Sequence, residues 1–262
     1  MENIQVEYLE LGKNVIISPT ATIRGLTGKA HHVKIGDNTY IGDNVQIIVD
    51  DLQIGDYCKI HHHTNLHGYK PLSIGHNAWI GQYTIIDSIG GTTIGNNCGI
   101  GAHSQLWSHI LYGDDLEGCN YNSNHPLLIG NDCWFVGHCI VSPIHAKDKS
   151  MALVGSVITK DMEENHIYGG SPAKDLTGKI SPQFKEVTLD EKYKKMLNYY
   201  KECNSPASIK IILDDSEIRN DNISYFNVST RTYTKNVTDE EISFMKYLLP
   251  NKAKFIPKNN QE

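Results

Sequence analysis

Residues 35–46 read IGDNTY-IGDNVQ, and the same six-residue phrase returns as IGDYCK-IHHHTN (54–65), IGHNAW-IGQYTI (74–85), IGNNCG-IGAHSQ (94–105) and IGNDCW-FVGHCI (129–140). Each unit opens on a large aliphatic or aromatic residue and carries a small or thiol residue near its fifth place, with glycine usually second. Neither a helical period of 3.6 nor a strand period of 2 produces such a phrase. A prism-like coil does. Three short parallel strands make one turn, and each sends one large and one small side chain into a narrow interior. Hairpins with Asn-Gly turns are the competing reading, but they do not hold a six-residue register through ten units.

Working outward from these units, the leading residues Ile35, Ile54, Ile74, Ile94 and Ile129 are separated by 19, 20, 20 and 35 residues. A plain turn of three hexapeptides needs fewer. Because the two IG-type units always come first without a gap, the extra residues fall after the second unit. Segments 47–53, 66–73, 86–93 and 106–128 are therefore expected to project from one stacked edge, with neighbouring turns ~5 Å apart. That edge gathers Asp50, Asp51, His67, Tyr69, Lys70, Asp87, Trp107, His109, Tyr112, Asp114, Asp115 and His125. A solenoid with its insertions on one edge uses that edge for binding. Cys58, Cys98, Cys133 and Cys139 take the small inward slot and read as reduced core packing rather than ligands or nucleophiles.

Composition bounds the function. The 262 residues carry 24 Lys+Arg against 30 Asp+Glu, a formal charge of −6, which argues against a dedicated nucleic-acid binder. No apolar run approaches the ~20 residues of a spanning helix, and residues 1–13 lack the pattern of a secretory leader. The six cysteines show no CxxC, so a reducing, cytoplasmic setting is expected. Beyond residue 180 the hexapeptide stops. Residues 189–200 have helical spacing, 209–213 and 223–227 read as strands, and 239–249 is a second helix with Thr238 as N-cap and Glu241 at the capping-box place. The expected organisation is a coil over 1–180, with a long loop near 107–127, and a small α+β domain over 181–262.

Several motifs occur together: the IGxNxW-IG units, the long loop containing Trp107-Ser108-His109, the LIGNDCW-FVG return at 128–137, and the closing GSVITKD (155–161) and YGGSPAKD (168–175). In this combination the chain resembles the left-handed β-helix, or hexapeptide-repeat, acyltransferases over roughly residues 15–180. The resemblance implies a mainly β fold, a left-handed parallel β-helix with a small C-terminal α+β appendage. It also implies a homotrimer with acyl-CoA along the coil in a groove between two subunits and no metal, while charge and hydropathy lead us to expect no nucleic-acid or membrane partner. By motif position His109 matches the family's loop histidine, the general base, although the histidine-proline pair arrives later, at His125-Pro126. His125 and a base-free, substrate-assisted proton transfer are the alternatives. Gly137, Gly155, Ser156, Lys160 and Lys174 fall where the resemblance puts the acyl-CoA.

The chemistry suits that assignment, because a thioester brings its own leaving group. The protein then aligns the acceptor, stabilises an oxyanion and moves one proton. The multi-turn corner and the appendage resemble the branch acting on nucleotide-linked amino sugars. The expected reaction is acyl transfer from acyl-CoA to the amine of a nucleotide-linked amino-deoxyhexose, with dTDP-4-amino-4,6-dideoxyglucose as the best match. His67, Tyr69, Asp87, His103 and Trp107 are candidate substrate contacts, Asp87 as a carboxylate for the amine, and Tyr69 and Tyr83 as stacking partners for a base. O-acetyl transfer to a sugar hydroxyl is one alternative. A zinc enzyme of the γ-type carbonic anhydrase class, which holds zinc with three histidines from two subunits, here His62, His67 and His31, is another, and a non-catalytic trimer that docks another protein is a third. His61, His62 and His63 lie on an uninterrupted face, where an interface or solvent role fits better than catalysis.

Overall fold

Why the chain coils is visible at one corner of the prism. At the corner after the first face stand Asp37, Asp56, His76, Asn96 and Asn131, each third in its turn's first IG unit, and Asp148 at the same place in a turn without IG; each side chain accepts the backbone N–H of the matching residue one turn earlier. These bonds are 2.6–2.9 Å long. The following residue turns the corner in the left-handed region, as at Asn38, Asn77 and Asn97, where asparagine is tolerated best among non-glycine residues. Glycine in second place lets the turns approach. A Cβ on Gly55 would stand 2.6 Å from the His76 nitrogen of the next turn.

The structure is a computed structural model that describes residues 3–123 and 125–258. The chain divides into two units, Met1–Phe184 and Lys185–Glu262. The first is a left-handed parallel β-helix with three faces. Successive turns contribute Ala30–Ile35, Asp51–Ile54, Leu72–Ile74, Thr92–Ile94 and Leu127–Ile129 to the first face, paired in parallel. The second face carries Tyr40–Ile41, Lys59–Ile60, Trp79–Ile80, Gly99–Ile100 and Trp134–Phe135. The third carries Gln46–Ile48, Asn65–His67, Ile85–Asp87, Gln105–Leu106 and Ile140–Val141. An antiparallel hairpin, Ile167–Gly170 with Ala173–Asp175, closes the second face.

Stacked aliphatics fill the interior, with Ile35, Ile54, Ile74, Ile94 and Ile129 from the first face and Ile41, Ile60, Ile80, Ile100 and Phe135 from the second. Cys58, Cys98, Cys133 and Cys139 are buried in the small slot, as expected. Burial pushes the Cys58 thiol up to about 12, so it is inert. One boundary is corrected. Ile47, Leu66, Ile86 and Leu106 belong to the core and do not project. The third face keeps its large inward aliphatic and lacks only the IG corner, so the extra residues shrink to the connections 49–50, 68–71, 88–91 and 107–126.

The second unit has helices Leu189–Glu202 and Asp239–Leu248 and a four-stranded sheet of Ile209–Ile212, Ser224–Asn227, Thr232–Tyr233 and Ile256–Pro257. Phe226, Phe244, Tyr233, Met245 and Leu248 form its core. Thr188 and Glu191 complete a capping box. Thr238 caps its helix as expected, but the buried Glu241 carboxylate turns to the Asn236 and Val237 amides and to Ser224 Oγ. The second half of that box does not form.

Candidate active site

The corner between the third and first faces concentrates polar chemistry. Its 88–91 connection contains the Ile89-Gly90-Gly91 turn, which passes beneath the long loop. A Cβ on Gly90 would stand 1.9 Å from the Ser108 carbonyl oxygen and 2.8 Å from that of His125. Only glycine allows both ends of the loop to sit against this turn.

Asp87 ends the strand just before the turn and is fully enclosed. An unpaired carboxylate would be costly there, and three donors meet it at one oxygen. Ser108 N at 2.9 Å, Ser108 Oγ at 2.6 Å and His109 Nδ1 at 2.8 Å all reach Asp87 Oδ2. Ile89 N approaches Oδ1 at 3.3 Å, and His67 Nε2, from the preceding turn, lies 3.6 Å from the same oxygen. With Nδ1–H of His109 donating to the Asp87 carboxylate, the lone pair of that ring rests on Nε2. The His109 side chain remains 19% exposed. A buried carboxylate that fixes the tautomer of a partly exposed imidazole is a general-base arrangement.

His67, Asp87, Trp107 and His109 therefore meet at one place, with Trp107 set edge-on to the His109 ring at 6.3 Å. The expectation that a sugar amine binds Asp87 does not fit, since its enclosed carboxylate is occupied by the protein's own donors. Tyr69 stands exposed on the 68–71 connection, and His125 is exposed at the return of the loop.

His103 lies elsewhere, at the opposite corner of the third face. Its ring stacks between Tyr83 at 5.1 Å and His138 at 4.8 Å, and Tyr83 stacks in turn on His63 at 4.9 Å. Both faces of the Tyr83 ring are thus covered, which corrects its assignment as a platform for a base, and His103, expected as a substrate contact, does not join His67, Trp107 and His109. His61 packs at the second face between Tyr40 and Trp79. His62 faces Tyr83, and His31 pairs with Asp51. Within one chain His31, His62 and His67 are not gathered, and among the described residues no cluster of three or more His, Cys, Asp or Glu is placed to hold a metal.

Of the positions expected to hold acyl-CoA, Lys160 and Lys174 are exposed near the closing end of the coil, and Gly155 is open with φ +71°. Gly137 is buried. Ser156 is corrected. It fills the small inward slot, fully buried, and its hydroxyl donates to the Leu153 carbonyl at 2.6 Å. The Ile89-Gly90-Gly91 turn was expected beside Asp87, one turn before His109, but Ser108 was given no role from sequence, although Ser88 and Ser108 follow Asp87 and Trp107 at equivalent places on successive turns.

No family model matches the chain. Over 176 residues it is 29% identical to the bifunctional protein GlmU of Acaryochloris marina, a match covering 61% of this chain and 37% of GlmU. It is 33% identical over 111 residues to UDP-3-O-acylglucosamine N-acyltransferase of Bordetella pertussis, covering 38% of this chain and 28% of that enzyme. These matches, the six-residue register and the three-faced parallel coil agree. The chain is a hexapeptide-repeat protein. It spans little more than a third of the length of its GlmU relatives. Among solved structures, this hexapeptide-repeat protein is similar to AntD, an N-acyltransferase from Bacillus cereus in complex with dTDP and 3-hydroxybutyryl-CoA. That match has a TM-score of 0.45 and 17% identity and covers 76% of this chain and 93% of AntD. Among the described residues no helix is long and apolar enough to cross a membrane.

Proposed function

We propose that this hexapeptide-repeat protein is an acyl-CoA-dependent acyltransferase that acylates the amine of a nucleotide-linked amino-deoxyhexose. The observation that carries the reading is the 2.8 Å bond between the enclosed Asp87 and the partly exposed His109 at the root of the long loop. His109 Nε2 takes the proton from the acceptor amine as it attacks the thioester carbonyl. Asp87 holds the ring in the required tautomer and balances the imidazolium that forms. Thiolate leaves, so the protein need supply only alignment, oxyanion stabilisation and this one proton transfer. The match to UDP-3-O-acylglucosamine N-acyltransferase, named for acylating a nucleotide-linked amino sugar, supports an amine as acceptor.

Lys160 and Lys174 are the candidate contacts for the CoA phosphates, and His67, Tyr69 and Trp107 those for the sugar nucleotide. The reading includes self-association as a homotrimer with acyl-CoA between subunits. Exposed Trp79 and Trp134 on the second face are apolar surface suited to such packing. The test is thiol release from acyl-CoA in the presence of amino-sugar nucleotides, with wild type and His109→Ala compared. The variant is expected to lose ~10²–10⁴-fold in kcat. A loss smaller than about threefold assigns the proton to the substrate or to water and removes His109 as base.

A further inference from the structure

We infer that Ser108 is a positioning residue that sets the proton affinity of His109 through Asp87, which rests on the reading of His109 as the base. Ser108 is fully buried, so its hydroxyl serves no substrate directly. Its bonding is completely determined. Oγ accepts the Gly90 N–H at 2.9 Å and passes its single proton to Asp87 Oδ2 at 2.6 Å, while its backbone N–H reaches the same oxygen at 2.9 Å. A chain Gly90 N–H to Ser108 O–H to Asp87 runs from the turn of one coil into the loop of the next, and each bond polarises the one after it.

The consequence is electrostatic. Hydrogen bonds given to a carboxylate favour its charged form and draw negative charge away from whatever else it holds. Ser108 therefore moderates how strongly Asp87 stabilises the protonated His109 ring. It also pins Oδ2 toward the loop, leaving Oδ1 toward His67. The titratable groups facing Asp87 are His109 from the loop and His67 from the preceding turn. Without the hydroxyl, Asp87 attracts the ring proton more strongly, and the Gly90 amide loses its acceptor.

The experiment is an NMR titration of the His109 ring in the full chain, assigned with His109→Gln, in wild type, Ser108→Ala and Ser108→Thr, with the His67→Gln background separating the second imidazole. In Ser108→Ala the pH midpoint of His109 is expected to rise by about half a unit or more, and Ser108→Thr, which keeps the hydroxyl, is expected to stay with wild type. A folded Ser108→Ala protein with an unchanged midpoint overturns the inference. If Ser108→Ala does not fold, Ser108→Cys replaces it. A thiol is a weaker donor, so a smaller rise in the same direction supports the inference and an unchanged midpoint overturns it. In the acylation assay, Ser108→Ala is expected to move the acid limb of kcat to higher pH by the same amount, lowering kcat about threefold on that limb, with the acyl-CoA KM unchanged. The titration needs no substrate, so it reports on Ser108 even if the acyltransferase reading fails.

Discussion

At the scale of single residues, the site depends on Asp87 meeting three donors where water cannot reach it. Asp87→Asn keeps the shape but places an amide NH₂ or a weaker acceptor against three donors. Beyond a stability loss of about 1–3 kcal/mol, it is expected to reduce kcat strongly, because His109 no longer has a charge to fix its tautomer. Denaturant midpoints and kcat measured on the same preparations check this, and unaltered kinetics would remove Asp87 from the mechanism. Gly90→Ala tests the approach of the turn to the loop, since its Cβ would overlap the Ser108 carbonyl oxygen. The loop root must then shift, and activity is expected to fall before the fold is lost, read as kcat against melting temperature. His109 was expected from its resemblance, by motif position, to the family's loop histidine, and the structure sets its ring against Asp87. The enclosure of Asp87 was not legible in sequence, since burial there depends on Ser108 and His109 folding back over it from 21 and 22 residues away.

At the scale of elements, the hexapeptide register specifies which residues point inward, and the thiols follow it. Cys98→Phe is expected to destabilise the coil by about 1–3 kcal/mol or more, through overfilling of a narrow interior. Wild-type stability in urea would contradict that register. His61 offers a pH test on the second face. Burial pushes its ring below the ordinary imidazole range, with Lys59 and then His62 adding to the effect. The folded chain then binds this proton less readily than the unfolded chain, so stability is present above the ordinary range near pH ~6.5 and is lost as pH falls through it. His61→Phe is expected to flatten the fall in urea midpoint between pH 7 and pH 5, and an unchanged fall would assign the acid sensitivity to other groups. The ring ladder was half legible. His63, Tyr83 and His103 recur at 20 residues, the length of one turn, but His138 follows after 35 because the long loop intervenes. Ser156 was misplaced for a related reason. Near a closing motif it resembles a ligand contact, while the register makes it a small inward residue.

At the scale of the whole molecule, the coil carries the acidic excess and the second unit is near neutral. A homotrimer is expected to sediment at three times the 29.4 kDa chain, and a monomer at working concentration would remove the inter-subunit groove from the account. The central claim is tested most directly by thiol release from acetyl-CoA and longer acyl-CoAs against a panel of dTDP- and UDP-linked amino sugars. Release that requires one amino sugar, prefers one acyl chain and collapses in His109→Ala is the predicted result. Silence across the panel, with no acyl-CoA binding in calorimetry, would contradict it.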